Sequence, residues 1–192
     1  MDRLADFLFE VGMLKRTPRS GWNFLPGAEP ESVAEHVFRT TIIAWTLART
    51  APDVDPNRVV ELALFHDLPE ARTGDLNYVH QKYSVVDEGA AARHQAEGLP
   101  FGDDLVGLSE EYRAGTTAEA VLAHDADQLE MLLSLKERLD GGAAAAEQWI
   151  PFVLKRLRTE GARALAEKIL ATHSHDWWFD RDSDWWVRGG KR

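Results

Sequence analysis

Residues 117–139 read TAEAVLAHDADQLEMLLSLKERL and carry the most regular helical pattern in the chain. Gly141 and Gly142 follow this stretch and end the pattern. We predict a long core helix whose apolar side chains recur at helical spacing, at Val121, Leu122, Ala126, Leu129, Leu133 and Leu135. Asp127 stands in the middle of this pattern. Because desolvating an unpaired carboxylate costs roughly several kcal/mol, the sequence predicts a buried partner for Asp127.

Two helices upstream have clear beginnings. Ser32 and Glu35 have the spacing of a capping box, which predicts a helix start at Ser32. Asp55 and Pro56 are suited to the N-cap and the first position of the next helix. Pro69 lacks an amide hydrogen, so it should end or kink that second helix.

Helical spacing also dominates most of the remaining sequence. Residues 17–30 form a loop rich in Gly and Pro, and residues 77–98 suggest a loop followed by a charged helix. The absence of a β pattern predicts an all-α bundle of about six to eight helices. We predict a single domain over residues 1–175, followed by a Trp-rich tail at 176–192. The helical segments, in chain order, are 2–14, 31–50, 55–71, 117–139, 143–158 and 162–175.

The tail contains four of the seven tryptophans, paired as Trp177–Trp178 and Trp185–Trp186. Such rings seldom stay fully exposed. We expect the tail to pack on its own domain or on a partner subunit. The alternative is a lid or a base-stacking role over the active site.

Composition limits the classes of function. The chain has 192 residues, 44% of them hydrophobic, and no cysteine, so disulfides and thiolate metal sites are excluded. A net charge of −10 opposes binding to a nucleic acid polymer, although Lys15, Arg16 and Arg19 form a local basic cluster. No signal peptide and no apolar run of about 20 residues is present, which predicts a cytoplasmic protein without membrane contact.

Four residues form a candidate metal site: His36, His66, Asp67 and Asp127. Taken singly, a histidine or aspartate in a helix is more often a structural residue than a ligand. The adjacent pair His66–Asp67 can reach one ion only at a helix end or kink, and Pro69 supplies one. Two imidazoles and two carboxylates are a plausible ligand set for a divalent first-row metal.

The order of these residues resembles the H…HD…D pattern of the HD-domain metal-dependent phosphohydrolases. The segments LKRTPRSGW, ESVAEH, ALFHDLPEARTGDL and DADQLEM occur in the order and spacing of the branch that contains the 5′-deoxynucleotidases. The resemblance covers roughly residues 4 to 140 and implies an HD-domain helical bundle. It also implies a homodimer and one catalytic divalent metal ion, often cobalt, manganese or copper in assays. The identity of the metal in this chain stays open among Mn, Co, Mg, Fe, Ni, Cu and Zn.

The same resemblance implies roles for residues around the metal site. Glu70 matches an essential glutamate, and Asp75 matches an aspartate that contacts the sugar. Arg16 matches the arginine that holds the phosphate, but Thr17 stands where some members have tryptophan, so Trp22 could supply the aromatic ring instead. The other residues expected near the substrate are Asn77 and Tyr78.

Several roles follow from the residues themselves. Glu70, four residues after His66, faces the same side as the ligands and is a candidate general acid or base, although it could also be an exposed helix-end carboxylate. Arg16 and Lys15 could neutralise a phosphate, and Lys82 could add a further positive charge.

These observations favour a phosphohydrolase that removes phosphate from small nucleotides, with deoxynucleoside 5′-monophosphates as the preferred substrates. One alternative is a phosphatase for a phosphorylated nucleoside analogue in a biosynthetic pathway. A second is a dinuclear-iron oxygenase that uses extra histidines such as His94 and His124. A third is a non-catalytic ligand-binding or regulatory module, against which the intact ligands and Glu70 argue.

Overall fold

The longest helix of the protein lies at the centre of the fold. The computed structural model describes residues 1–25, 27, 29–180 and 182–188, apart from the side chain of residue 187. The α-helices over these residues are α1 (Asp2–Val11), α2 (Val33–Thr50), α3 (Pro56–Phe65), α4 (Glu70–Thr73), α5 (Tyr78–Tyr83), α6 (Glu88–Ala96), α7 (Gly102–Ala114), α8 (Ala118–Asp140), α9 (Ile150–Arg156), α10 (Glu160–Ala171) and α11 (Trp185–Arg188).

The predicted all-α class is confirmed. Short 3₁₀ helices occur at Gly12–Lys15, Ser20–Phe24 and Ala144–Gln148, and the β-structure of the described residues is limited to an isolated bridge between Pro18 and Ser32. Seven of the helices named above have nine or more residues. This number agrees with the predicted bundle of about six to eight helices. Within the same part of the chain, none of the helices has the length and hydropathy needed to cross a bilayer.

The predicted helix starts are confirmed. The Ser32 hydroxyl accepts a hydrogen bond from the Glu35 amide at 3.2 Å, and the Glu35 carboxylate accepts one from the Ser32 amide at 2.7 Å. Asp55 accepts a hydrogen bond from the Asn57 amide at 2.9 Å, and Pro56 occupies the first turn of α3. Caps of this kind each contribute about 1 kcal/mol, so local sequence fixes where α2 and α3 begin.

Helices α2, α3 and α8 pack on one another and form the core. Four predicted core residues of α8 are buried, whereas Val121 and Leu133 are only partly buried and Leu132 is completely buried. Because α8 also contacts α7, α9 and α10, its buried positions extend around more than one face. The residues of α8 with the lowest exposure are Ala120, Ala123, Asp125, Ala126, Leu129, Leu132 and Leu135.

The structure adds elements that the hydrophobic pattern did not predict. Helix α7 has a charged sequence in which Leu105 and Leu108 are the buried leucines, so its apolar period is weak. The predicted loop at 17–30 contains the 3₁₀ helix with the buried Trp22. Leu8 of α1 is exposed, although the residue before it, Phe7, is buried. The reason is that α1 packs through Phe7, against Phe101.

The aromatic tail forms a small cluster of its own. The Trp186 ring lies 4.6 Å from Trp185 and 5.8 Å from Trp178, measured between ring centroids. Trp177 is 87% exposed. Residues 181 and 189–192 of the predicted tail lie outside the described residues, and packing on the domain or on a partner stays a prediction.

Candidate metal centre

Three of the four predicted ligands, His36, His66 and Asp67, converge at one point, and Asp127 adjoins them through His36. His36 lies on α2 and Asp127 on α8, while His66 and Asp67 follow the end of α3. His36 Nε2 is 3.2 Å from Asp127 Oδ1 and 3.6 Å from Asp67 Oδ2. Ligand atoms of His36, His66 and Asp67 all lie within 4.8 Å of one another, close enough to hold one metal ion.

The end of α3 explains how adjacent residues reach the same point. The helix ends at Phe65, and the next residues form a turn in which the Leu68 amide donates to the Phe65 carbonyl at 3.1 Å. Pro69, which has no amide hydrogen, then serves as the residue before α4. The chain therefore leaves the α3 helix at His66–Asp67, as the sequence predicted, and the rings of His66 and His36 lie 5.5 Å apart between centroids.

The protonation pattern of His66 fits a metal ligand. Its Nδ1–H donates to the Ala63 carbonyl at 2.7 Å, so in the neutral ring Nε2 carries the lone pair that a metal ion needs. Nε2 is buried and finds no hydrogen-bond partner in the described part of the chain. The atom 3.2 Å away is Asp67 Oδ2, which is also an acceptor. When the imidazole is neutral, these two acceptors repel each other unless a cation, either a proton or a metal ion, lies between them.

The charges around His36 favour a cation in the same place. Burial lowers the pKa of the imidazolium, but hydrogen bonds to Asp127 and Glu130 outweigh burial and raise the pKa of His36 to about 10. Burial likewise opposes ionisation of Asp127, yet its contact with His36 holds the pKa of Asp127 well below its usual range. The neighbouring carboxylates thus stabilise a positive charge on a completely buried imidazole. The same negative charges would also stabilise a metal cation at this place.

Glu130 also contacts this centre, although its role was not predicted from the sequence. Its Oε2 lies 2.6 Å from His36 Nδ1, and its Oε1 accepts hydrogen bonds from Arg39 and Ser134. The sequence contained a signal, because Glu130 follows Asp127 by three residues and stands between the apolar residues Leu129 and Met131.

Glu70 and Asp75 extend the acidic cluster. Burial, followed by the charges of Asp67 and Asp75, raises the pKa of Glu70 to about 9. Glu70 Oε2 is buried and lacks a hydrogen-bond partner within the described structure. Asp75 accepts a hydrogen bond from the Ser20 amide at 2.9 Å, and burial raises the pKa of Asp75.

Arg19 is the cation that the fold brings to these carboxylates. Its Nη1 lies 3.4 Å from Asp67 Oδ2 and 3.8 Å from Asp75 Oδ2, and its side chain is 13% exposed. Lys15 and Arg16 are exposed, and neither side chain makes a hydrogen bond or ion pair with any described residue. The basic cluster therefore contributes Arg19 to the centre, whereas the sequence had favoured Lys15 and Arg16.

The predicted aromatic contact, Trp22, lies in the core. It is 5% exposed, stacks on Trp149 with ring centroids 5.9 Å apart, and has the Arg138 guanidinium 3.8 Å from its ring centroid. Its indole N–H donates to Glu31. Because these neighbours enclose the ring, the geometry does not present Trp22 to a nucleobase.

The other predicted substrate residues lie around α5. Asn77 is buried and caps α5 by accepting hydrogen bonds from the amides of residues 79 and 80, both at 3.1 Å. Its amide nitrogen is 3.5 Å from the carbonyl of Ser20, the residue that contacts Asp75. Tyr78 and Lys82 are exposed, with the ammonium nitrogen 4.3 Å from the phenol ring centroid. Substrate contact by these residues stays a prediction.

The extra histidines do not join the metal centre. His124 Nε2–H donates to the Tyr112 carbonyl at 2.7 Å, and the two rings stack with centroids 4.0 Å apart. His94 is exposed on α6. The metal-ligand cluster found among the described residues contains neither histidine, so the geometry gives no support to the dinuclear-iron alternative.

Comparisons with known proteins agree with this geometry. The sequence profile described as HD domain matches residues 11–169. The zebrafish protein 5′-deoxynucleotidase HDDC2 is 32% identical to this chain over 196 residues, covering 91% of this chain and 97% of the relative.

Solved structures share the fold. A conserved hypothetical protein from Pyrococcus furiosus superposes with a TM-score of 0.73 at 30% identity, covering 88% of this chain and 99% of the other. A predicted metal-dependent phosphohydrolase from Magnetospirillum magnetotacticum superposes with a TM-score of 0.70 at 25% identity, covering 88% and 90%. Since the profile spans most of the sequence and contains all four predicted ligands, the chain belongs to the HD domain family.

Proposed function

We propose that this protein is a metal-dependent phosphohydrolase that removes phosphate from deoxynucleoside 5′-monophosphates. The observation that carries the proposal is the convergence of His36, His66 and Asp67, whose ligand atoms lie close enough to hold one metal ion, with His66 Nε2 3.2 Å from Asp67 Oδ2. The proposed substrate is supported by the zebrafish relative, which is named a 5′-deoxynucleotidase.

The metal ligands in this proposal are His36, His66, Asp67 and Asp127. A nitrogen and oxygen ligand set without sulfur leaves Mn, Co, Mg, Fe, Ni, Cu and Zn as candidates. When bound, a divalent ion supplies a water molecule of lowered pKa and polarises a phosphoryl oxygen. The near-complete burial of the His36 and His66 side chains limits competing hydration of the ligands.

Arg19 neutralises the phosphate in this proposal. A mostly buried guanidinium between Asp67 and Asp75 is held in place by both carboxylates. Its planar group can offer two hydrogen bonds to a phosphate. Arg16 and Lys15, which the sequence favoured, are exposed and therefore better suited to attracting the anionic substrate from solution.

Glu70 supplies the proton for the leaving group. Hydrolysis joins a water oxygen to phosphorus and breaks the bond between phosphorus and the 5′-oxygen. Burial and the neighbouring charges of Asp67 and Asp75 raise the pKa of Glu70, which favours a protonated carboxyl group that can donate to that 5′-oxygen. The attacking water gives up one proton, which restores the acid form of Glu70, and the products are the deoxynucleoside and inorganic phosphate.

The sugar and base are assigned to the region around α5. Asp75 lies next to Arg19, and Asn77 is linked to Asp75 through Ser20. Asp75 is proposed to contact the sugar, with Asn77, Tyr78 and Lys82 lining the adjacent surface. Exposed Tyr78 offers its ring for stacking, which the enclosed Trp22 cannot do.

A homodimer in the cytoplasm is also part of the proposal. Phe38, Ile42 and Trp45 of α2 are 71%, 52% and 51% exposed and lie at positions that share one face of the helix. An exposed apolar stripe of this kind supports self-association. Light scattering on the purified chain would test it, and a monomer at all concentrations would remove the dimer from the proposal.

The function is tested by phosphate release from a panel of 2′-deoxynucleoside and ribonucleoside 5′-monophosphates, each assayed with Mn²⁺, Co²⁺, Mg²⁺ and Zn²⁺. We expect metal-dependent release that is fastest from the deoxynucleotides, and deoxynucleoside 3′-monophosphates serve as the control substrates. His66→Ala should abolish release, whereas the matched variant of an exposed histidine, His94→Ala, should not. Absence of release from every nucleotide, together with oxygen consumption in Fe²⁺, would contradict the proposal.

A further inference from the structure

Glu130 is a completely buried carboxylate, 1% exposed. It contacts Nδ1 of His36, whereas Asp67 and Asp127 lie near Nε2 of the same ring. Both of its oxygens are used. Oε2 accepts the hydrogen bond from His36 Nδ1–H at 2.6 Å. Oε1 accepts hydrogen bonds from Arg39 at 2.8 and 3.1 Å and from the Ser134 hydroxyl at 2.9 Å.

The contact with Glu130 determines which nitrogen of His36 is free. An imidazole that donates through Nδ1 presents the Nε2 lone pair on its opposite side once it is neutral. Nε2 of His36 is the atom that faces Asp67 and Asp127. Without an acceptor at Nδ1, the ring could adopt the other tautomer or rotate, and Nε2 would lose its place in the ligand set.

Glu130 is itself held from the side away from His36. Arg39 Nη2 lies 2.5 Å from the Ser134 hydroxyl, which in turn donates to Glu130, so the carboxylate is fixed by two mutually bonded partners. Arg39 Nη1 also donates to Glu137 at 2.6 Å. This arrangement connects α2 to α8 and fixes the orientation of the Glu130 carboxylate before any cation arrives.

We propose that Glu130 is a positioning residue for the metal centre, which holds the His36 ring with Nε2 directed at the cation. The inference rests on the proposed function, because it assumes that His36 is a metal ligand. Carboxylates that accept a hydrogen bond from a ligating histidine typically change metal affinity by about 10- to 100-fold when they are replaced.

The structure provides a matched control for this role. Glu137 also accepts a hydrogen bond from Arg39 and lies on the same helix, but it makes no described contact with His36. Glu130→Gln and Glu137→Gln each remove one negative charge paired with Arg39 and keep the shape of the side chain. A role confined to the Arg39 ion pair would give both variants the same effect.

The experiment measures the dissociation constant for Zn²⁺ on the purified full-length chain without substrate, by competition with a chromophoric chelator. We expect Glu130→Gln to weaken Zn²⁺ binding about 10-fold or more and Glu137→Gln to change it by less than about 2-fold. ¹⁵N spectra of histidine-labelled protein with bound Zn²⁺ should show Nε2 ligation of His36 in the wild type and an altered Nδ1 resonance in Glu130→Gln.

Equal Zn²⁺ affinity in the wild type and Glu130→Gln would overturn the inference while leaving the proposed function intact. Equal losses in Glu130→Gln and Glu137→Gln would also overturn it. A wild-type chain that binds no divalent metal would overturn the proposed function itself. If Glu130→Gln does not fold, Ser134→Ala removes one anchor of Glu130 without touching His36, and an unchanged affinity there would count against the inference.

Discussion

Asp125 accepts two hydrogen bonds from Thr159, from its amide at 2.9 Å and from its hydroxyl at 2.7 Å. A third hydrogen bond comes from the Arg158 amide at 2.7 Å. Asp125 thus fixes the start of α10 against α8, only two residues before Asp127 on the same helix. Asp125 therefore has a structural role, although its sequence surroundings are similar to those of Asp127, the proposed metal ligand.

The first prediction concerns Asp125. Because hydrogen bonds to a charged acceptor contribute about 1.5–3 kcal/mol each and asparagine keeps part of them, Asp125→Asn should lower the free energy of unfolding by about 2–4 kcal/mol. Urea denaturation measures this change. Zn²⁺ affinity of the folded variant should stay within about 2-fold of wild type, and a large loss of affinity would place Asp125 in the metal centre instead.

The second prediction concerns Asp127. Asp127→Asn removes an anionic ligand but keeps the shape of the side chain, so metal binding should fall by about 100-fold or more. The metal content of the purified variant and a chelator competition would measure the loss. The exposed carboxylate of Asp104 on α7 provides the control Asp104→Asn. A variant at Asp127 that still held one equivalent of metal would show that this ligand assignment is wrong.

The third prediction separates binding from chemistry at Glu70. Glu70→Gln cannot donate or accept the catalytic proton, so kcat should fall by about 10²–10⁴-fold while metal affinity stays near that of the wild type. Initial rates and Zn²⁺ titrations on the same preparation provide the comparison. Glu61→Gln changes an exposed glutamate of α3 and should leave both quantities unaltered. An unchanged kcat in Glu70→Gln would exclude Glu70 from the proton transfer.

The fourth prediction follows from the pKa of Glu70 in the metal-free protein. This pKa is about 9 in the folded chain and close to its usual value of 4.5 in the unfolded chain. Between these values the unfolded chain binds fewer protons at Glu70 than the folded chain. Stability should therefore fall as the pH rises from about 4.5 towards 9.

Glu70→Gln removes the loss of stability that ionisation of Glu70 causes in the folded chain. The melting temperature of the metal-free variant should therefore exceed that of the wild type at pH 8 and be close to it at pH 5. For a chain of this size each kcal/mol corresponds to about 2–4 °C. Thermal melts in excess chelator at the two pH values would measure the difference. A gap of the same size at both pH values would contradict the raised pKa.

The fifth prediction compares Arg19 with Arg16. Because Arg19 lies between two carboxylates of the centre, Arg19→Ala should lower kcat/KM by about 10²-fold or more and weaken inhibition by inorganic phosphate. Arg16→Ala should have a smaller effect that shrinks further in high salt, as expected for an exposed charge. The reverse ranking would support the assignment made from the sequence resemblance.

Much of the fold could be predicted from local sequence because its signals are local. The Ser32 capping box and the Asp55–Pro56 start act within one turn, and the structure confirms both. Helix α7 escaped prediction because its charged residues hide the apolar period. Its place depends on packing against α3 and α6, and a single stretch of sequence cannot reveal such contacts.

Part of the candidate metal centre could be predicted, because histidine and aspartate side chains are unusual in a hydrophobic core. The completely buried His36 and the partly buried Asp127 are costly in a core without a shared cation, and the comparisons confirm the predicted family and enzyme class. The choice between Arg16 and Arg19 depends on how the loop before α2 folds over Asp75. Two residues separate the two arginines, so composition and spacing could not distinguish them.

The proposed ligands lie on α2, on the turn after α3 and on α8, and these helices also form the core. A cation bound there therefore joins three parts of the chain that are distant in sequence. Only the folded chain brings these parts together, so the cation binds the folded state. Free metal at about 100 times its dissociation constant would add about 2.7 kcal/mol to the stability of the native state. Cellular metal supply would then govern how long the enzyme survives proteolysis as well as how fast it turns over.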